Sequence, residues 1–317
     1  MPELITFGES MVLLTPPNIG ALEDAGVFIR SMGGAESNFA IGAARLGASV
    51  GWFSRLGKDP FGMYMLKKIR GEGVDTSRVV FDPSYPTALM LKELKATGNP
   101  NVYYYRRGSA FSQMSPRDLD ESYIAEAKIL HITGITPALS DGCRETVFAA
   151  LEMAKRNGTK VSFDPNIRLK LWSIEAARKV LFEIASRCDY FLPGEEELKL
   201  LFDTDEREQW IKRIIEMGVP CTVVKLGEEG CMLFENGHGT PIPGYTVARV
   251  VDTVGAGDGF AAGFLSSVLR GLSLDKAANA ANAVGARCVT FHGDMEGLPT
   301  FEELATFMGT RGSEVER

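Results

Sequence analysis

From Ala127 onward, short apolar runs rich in β-branched residues alternate with longer segments whose apolar positions recur every three or four residues. That alternation is what a parallel sheet covered by helices on both faces requires. The spacing predicts strands at Ile129–Thr133, Lys160–Asp164, Tyr190–Leu192 and Thr222–Leu226, and helices over Arg144–Asn157 and Ile174–Arg187 that end near Gly158 and Asp189. This half reads as βαβ units.

The first hundred residues follow another pattern. A strand at Leu4–Phe7 and a helix at Glu36–Leu46 are interrupted by runs that read as antiparallel β: Met11–Thr15, Val27–Ser31, Thr87–Leu94 and Val102–Arg106. Turn residues within Ala96–Pro100 (Thr97, Gly98, Asn99, Pro100) separate the last two. The expected organisation is an α/β domain made of residues 1–10, 33–84 and 108–310, with residues 11–32 and 85–107 forming a small β lid over a site at the strand ends. No repeat, low-complexity stretch or Pro- or Ser-rich linker is present, so the lid is inserted rather than tethered. The charged tail Arg311–Arg317 is expected to be disordered.

Composition narrows the class. With 317 residues, 45% hydrophobic and 24% charged, the chain suits a globular protein with a filled core. A formal net charge of −7 provides no overall field for nucleic acid or anionic lipid, so neither is expected as a partner, and an anionic substrate has to be met by local positive groups. Met1–Gly8 lacks the basic and apolar regions of a signal peptide, and no apolar run reaches the roughly 18 residues that cross a bilayer, which makes a cytoplasmic location the expectation. Cys143, Cys188, Cys221, Cys231 and Cys288 form no Cys-x-x-Cys pair and are expected as buried packing residues. His131, His238 and His292 show no metal-ligand spacing.

The densest chemistry lies in Val250–Phe264. An apolar lead-in meets Gly255, Gly257 and Gly259, after which a small-residue helix runs to about Leu269. Backbone N–H groups exposed at a helix start, where the dipole favours negative charge, make an anion cradle. Asp258 sits inside it. A carboxylate would repel a phosphate that was merely held, but it suits a general base that takes a proton from an attacking hydroxyl while neighbouring N–H groups stabilise a transferring phosphoryl group. Two other readings stay open. Asp258 can be a helix N-cap beside packing glycines. Alternatively, Gly257-x-Gly259-x-x-Ala262 can be a degenerate dinucleotide fingerprint with Asp275 downstream, although Asp275 reads better as the N-cap of a helix over Lys276–Val289. A Walker A loop is absent.

Asp252-Thr253-Val254-Gly255-Ala256-Gly257-Asp258 resembles the second signature of the ribokinase-like (PfkB) carbohydrate kinases, and Gly33-Gly34-Ala35-Glu36-Ser37-Asn38-Phe39-Ala40 resembles the first. The resemblance covers essentially the whole chain. It implies an α/β three-layer sandwich with a central, mostly parallel sheet and a small inserted β-sheet lid, and ATP with Mg2+ as phosphoryl donor. It further implies Asp258 as catalytic base, Gly255, Ala256 and Gly257 as anion hole, and Asp252 as a ligand of a monovalent cation such as K+. In the same way Lys225, Gly227 and Gly230 border the nucleotide together with Gly255 and Gly257, while Asn282 completes the adenine pocket or is simply a polar residue on a helix face. One departure stands out. Where the family carries Asn-x-x-Glu to organise magnesium and phosphate waters, this chain has Gly194-Glu195-Glu196-Glu197, keeping the glutamate as Glu197 and replacing the asparagine by Gly194.

For the acceptor, Gly33 and Gly34 let a ligand approach the backbone, and Asn38 and Glu9 can hydrogen-bond hydroxyls, but none of these selects a sugar. Tyr103-Tyr104-Tyr105-Arg106-Arg107-Gly108-Ser109-Ala110 on the lid and Asp164-Pro165-Asn166-Ile167-Arg168 at a strand end supply Arg106 and Arg168, whose guanidiniums suit a substrate carboxylate; the bland reading is sheet aromatics and solvated charges. Both runs are similar to the 2-keto-3-deoxygluconate kinases within the family, which implies Gly34, Tyr104, Arg106 and Arg168 as substrate positions. Fructokinase is the alternative inside the family. A non-catalytic sugar-binding regulator, supported by Gly194, is the alternative outside it. A lid face that one sheet can hardly bury suggests a homodimer or higher homo-oligomer formed through the lid.

Overall fold

In the computed structural model, which describes residues 1–96 and 100–309, the chain opens with β1 (Leu4–Phe7), β2 (Met11–Thr15), β3 (Ile29–Gly33), α1 (Ala35–Arg45), β4 (Val50–Phe53), β5 (Arg55–Gly57) and α2 (Pro60–Gly71). It continues through β6 (Val80–Asp82), β7 (Leu89–Glu93), β8 (Asn101–Tyr105), α3 (Glu121–Glu126), β9 (Ile129–Thr133), α4 (Thr136–Leu139) and α5 (Asp141–Asn157). Next come β10 (Lys160–Asp164), α6 (Ile174–Ala185), β11 (Tyr190–Phe191), α7 (Glu195–Phe202), α8 (Arg207–Met217) and β12 (Cys221–Lys225). The last elements are β13 (Gly230–Glu235), β14 (His238–Pro243), α9 (Ala256–Leu269), α10 (Leu274–Cys288) and α11 (Phe301–Phe307). Thr97, Gly98 and Asn99 of the expected lid turn, and the tail Arg311–Arg317, lie outside the described residues.

Eight strands form the central sheet in the order β14-β13-β12-β11-β10-β9-β1-β4, parallel from β4 to β12 and antiparallel at the β13–β14 edge. Helix boundaries follow local chemistry. Ser140 Oγ accepts the Cys143 N–H at the start of α5, whose far end stops at Gly158 in the left-handed region (φ 73°). One boundary departs from expectation: α10 begins at Leu274 with Ser273 as N-cap, and Asp275 lies inside its first turn, where the helix dipole still favours the carboxylate.

Two apolar cores lie on opposite faces of the sheet. One packs α1, α2, α9 and α10 around Phe39, Trp52, Phe264 and Val284. The other packs α5, α6, α7 and α8 around Phe163, Leu181 and Trp210. At about 1.5–3 kcal/mol per fully buried large side chain, these two layers make the sheet a stiff platform for loops at its strand ends. All five cysteines are free and buried. His131 is buried and stacked on Phe39 with ring centroids 3.9 Å apart; burial pulls its pKa down to about 3, so it packs as a neutral ring.

The lid is a four-stranded sheet ordered β3-β2-β7-β8. The β2–β3 and β7–β8 pairs are antiparallel, but β2 and β7 pair in parallel, which the strand pattern alone does not reveal. The chain enters the lid twice, along β2 and along β7, and returns along β3 and β8, so the two outgoing strands meet side by side. Among the described residues, no helix is long and apolar enough to cross a membrane.

Candidate active site

A cleft of about 810 Å³ opens between the lid and the carboxyl ends of the central strands, the usual ligand position in an open α/β sheet. Its walls come from both parts: Leu13, Met90 and Tyr104 from the lid, Asp164, Lys225 and Asp258 from the platform. The glycine-rich loop forms one side. Val251 N–H and Asp252 N–H donate to the Val289 carbonyl (2.7 and 3.3 Å), Asp252 Oδ1 accepts the Val254 N–H (3.1 Å), and the chain then turns through Gly255 at φ +79°. A Cβ at Gly255 would stand 2.1 Å from the Asp294 carbonyl oxygen, so both conformation and space demand glycine.

Asp258 lies in the first turn of α9, which is capped by Gly255, so the helix-cap reading of Asp258 is replaced by a carboxyl that lines the cleft. Asn38 Nδ2 donates to Asp258 Oδ2 at 2.9 Å, joining the two glycine-bearing segments. Burial raises the Asp258 pKa to about 7, the negative charges of Asp164 and Glu36 push the same way, and Asn38 and Arg168 oppose them. A carboxyl poised near neutrality at a helix start is suited to taking a proton from a bound hydroxyl.

Lys225, at the end of β12, donates to Asp164 Oδ2 at 2.6 Å and lies close to Gly257, where an added Cβ would be 3.6 Å from Nζ. Burial disfavours its charge, but Asp164, Glu197 and Asp258 outweigh burial and raise its pKa. Glu197 accepts from Gly194 N–H (2.7 Å) and Ile167 N–H (2.8 Å), and its own pKa is raised by burial and by Asp164. Ile167 belongs to a strained turn in which Asn166 takes φ 36°, and that turn delivers Arg168 to the cleft. No hydrogen bond or ion pair holds the Arg168 side chain among the described residues.

On the lid side, Arg106 Nε donates to Glu9 Oε2 at 2.6 Å, Ser109 Oγ donates to Glu9 Oε1, and Arg106 Nη2 is buried with no partner. The Tyr104 ring lies 5.7 Å from the Arg106 guanidinium carbon and lines the cleft. Gly34 has room for no Cβ, which would meet the Glu9 carbonyl at 2.7 Å, and a Cβ at Gly33 would meet Asp294 Oδ2 at 2.2 Å.

Thus the fold brings together Glu9, Gly34, Asn38, Tyr104, Arg106, Arg168, Glu197, Lys225, Gly255, Gly257 and Asp258 at one cleft. Gly33 and Ala256 stand just behind that wall. Asp252 is held in an ion pair with Lys92 (2.9 Å). Gly227 and Gly230 lie on the turn into β13, and Asn282 is buried on α10, donating to the Ile242 and Pro243 carbonyls; these three do not line the cleft.

Asp164, Lys92, Glu36 and Asp294 have no role that the sequence pattern by itself assigns. Glu36 accepts from the Thr133 and Thr136 hydroxyls (2.7 and 3.0 Å) and is kept high in pKa by burial. Asp294 lines the cleft, and burial lifts its pKa to about 6. The one available signal for Asp294 was its turn setting, Gly293-Asp294-Met295-Glu296-Gly297.

Residues 1–301 match the model of the pfkB family carbohydrate kinases. The chain belongs to this family. It is 39% identical over 311 residues to a 2-dehydro-3-deoxygluconokinase of Bacillus subtilis (98% of this chain, 96% of that one). It is 35% identical over 307 residues to a 2-dehydro-3-deoxygluconokinase of Thermoproteus tenax (96% and 93%). To fructokinase-1 of Oryza sativa it is 33% identical over 315 residues (96% and 97%). The fold superposes on the 2-dehydro-3-deoxygluconokinase of Thermotoga maritima with a TM-score of 0.88 at 28% identity (98% and 100% covered). It superposes on a Vibrio cholerae fructokinase double mutant, in a fructose-, ADP- and potassium-bound form, with a TM-score of 0.87 at 28% identity (96% and 98%).

As a PfkB kinase the chain is an ATP-dependent sugar kinase, which sets aside the regulator reading raised by Gly194. The Glu197 and Asp164 carboxylates both carry hydrogen bonds, to Gly194 and Ile167 N–H and to Lys225. Such a donor set fits magnesium held through its own waters, the ion's habit beside nucleotide phosphates, better than direct ligation.

Proposed function

We propose that this kinase transfers the γ-phosphoryl group of Mg-ATP to the 6-hydroxyl of 2-keto-3-deoxygluconate. The observation that carries the substrate is a pair of guanidinium groups with donors to spare at one cleft: Arg106, ion-paired to Glu9 through Nε but with a buried, partnerless Nη2, and Arg168, which has no ion pair among the described residues. A buried donor without an acceptor is costly, and a substrate carboxylate is the acceptor that satisfies it. The relatives in Bacillus subtilis and Thermoproteus tenax support the same acid. In this reading Tyr104 and Gly34 bound the sugar, and Glu9 orients Arg106.

Bound ATP and magnesium supply the phosphoryl group and screen its charge. The 6-hydroxyl oxygen attacks the γ-phosphorus, its proton passes to Asp258, and the bond to the β,γ-bridging oxygen breaks with its electrons leaving on ADP. The N–H groups of Gly255, Ala256 and Gly257 stabilise the transferring group, with Lys225 alongside. Gly227, Gly230 and Asn282 act on the nucleotide side by shaping the β13–β14 edge. The free, buried thiols suit a reducing cytoplasm. The enzyme works as a homodimer formed through the lid.

The test is a coupled ADP assay with 2-keto-3-deoxygluconate, fructose, ribose and adenosine. The keto acid should give the highest kcat/KM, and Arg106→Ala and Arg168→Ala should each raise its KM at least about tenfold while changing that for fructose far less. Fructose as the better substrate, with equal effects of the two variants on both sugars, overturns the acid and supports fructokinase, the reading favoured by the Oryza sativa relative.

A further inference from the structure

We propose that the Lys92 ammonium is a built-in replacement for the monovalent cation beside the anion-binding loop, making this kinase independent of K+. The inference rests on the roles given above to Asp258 and the Gly255–Gly257 amides. Asp252 is the side chain that the family resemblance would offer to such a cation. In this chain it is already spent: Lys92 Nζ donates to Asp252 Oδ2 at 2.9 Å, and Oδ1 accepts the Val254 N–H at 3.1 Å. The Val289 carbonyl, which is bonded to this turn, is also taken, by the Val251 and Asp252 N–H groups, and the Thr253 carbonyl accepts the Ala256 N–H.

The pair is enclosed. The side chains are 9% and 14% exposed, so the attraction is poorly screened, and a second cation beside the ammonium would meet a like charge in the same low-dielectric pocket. The site therefore does not fit an added alkali ion, although the need for positive charge is plain. Asp258 and Asp294 line a cleft that has to admit a triphosphate, Asp252 directly precedes the lining residues Thr253 and Val254, and the Asp294 carbonyl abuts Gly255 of the anion hole. Lys92 answers both neighbours, since its charge also lowers the Asp294 pKa against the effect of burial.

The lysine comes from the lid. Along β7, Met90 and Lys92 face inward while Leu89, Leu91 and Glu93 are less buried, so a strand with ordinary alternation sends one ammonium across to the catalytic loop. Lys92 is thus a positioning residue that acts on the phosphoryl-transfer amides through Asp252. It also ties the charge of that loop to the position of the lid.

The experiment measures ADP formation at constant ionic strength in choline, sodium, potassium and ammonium chlorides, together with thermal melting in the same salts. Wild-type turnover should change less than about twofold among the salts, and its melting temperature should show no potassium-specific rise. Lys92→Met should lose on the order of tenfold or more in choline and regain activity and melting temperature in potassium or ammonium but not in choline.

Stimulation of the wild type by potassium overturns the proposal without any variant. So does a Lys92→Met enzyme that is fully active in choline, that no cation rescues, or that only shows a raised KM for the keto acid, since the last would make Lys92 a substrate ligand. Absence of ADP with every sugar in every salt would instead overturn the kinase chemistry, and the melting curves would still report on the cation.

Discussion

Asp258 is one carboxyl whose surroundings are set against its charge. Burial and the nearby Asp164 and Glu36 favour the protonated form, and the Asn38 hydrogen bond at 2.9 Å and Arg168 only partly compensate. With a folded pKa of about 7, Asp258 in its proposed role as base should make kcat/KM of the free enzyme rise with pH through neutrality and level above it, because a base works deprotonated. Asp258→Asn should retain binding of ATP and sugar, lower kcat on the order of a thousandfold or more, and abolish that limb. Stability moves the other way. Because the folded pKa lies above the ordinary carboxylate value of 3.8, the unfolded chain releases this proton first, and the residue's contribution is present at acid pH and lost as pH rises through about 7. Chemical denaturation at pH 8 should therefore find Asp258→Asn more stable than wild type by on the order of 1 kcal/mol, and the difference should shrink toward pH 4. A variant less stable at both pH values would mean that the carboxylate is structurally supported rather than strained.

The element that matters most is the turn from Asp252 into α9, and its rigidity is testable through Gly255. At φ +79° with the Asp294 carbonyl where a Cβ would go, Gly255→Ala has to move either the turn or the 293–297 loop. We expect kcat to fall at least about a hundredfold with a stability loss of about 1–3 kcal/mol, read by turnover and denaturation, whereas Gly271→Ala, also at positive φ (77°) but with open space around it, should cost stability without touching kcat. This turn was legible in the sequence because three glycines and an aspartate leave little else for a helix start to be. The βαβ half was legible for a comparable reason: β9, β10, β11 and β12 are apolar runs bounded by capped helices, and their ends differ from expectation by a residue or so. What stayed hidden depends on long-range partners. Nothing local marks β5 and β6 as a parallel pair or β2 and β7 as parallel neighbours. The antiparallel β13–β14 edge, by contrast, has a local mark in its two-residue Asn236-Gly237 turn (φ 51° and 78°), which the strand pattern alone passes over. In the site the same limit holds. Lys92 looks like any polar residue of an alternating strand until the lid folds over Asp252, and Asp164 gains meaning only when β10 and β12 bring Lys225 beside it.

At the scale of the molecule, the question is what covers the lid. Its cleft face carries Met90, Lys92 and Tyr104, so the register places Leu91 opposite Tyr103 and Leu89 opposite Tyr105 on the other face. Tyr103 and Tyr105 are 44% and 64% exposed there, and the central sheet's two cores offer them nothing to pack on. The inner lid strands are anchored, with Val12 and Met32 in the platform core and Leu14 and Leu89 packed against it, but the edge strand β8 leaves Tyr103 and Tyr105 uncovered while Arg106 and Lys92 need the lid held within hydrogen-bonding distance of the platform. A second copy packing its own lid against this face would supply the missing burial and stiffen both active sites at once. Sedimentation should give twice the chain mass at micromolar concentration, and Tyr105→Lys, which places a charge at the exposed end of the edge strand β8, should shift the equilibrium toward monomer. Because the cleft then loses its lid support rather than any ligand, KM for the sugar should rise more than kcat falls, and both should recover with increasing protein concentration. A wild-type monomer with normal turnover at every concentration would show that the lid holds its shape unaided, and that Lys92 and Arg106 are themselves enough to keep it closed.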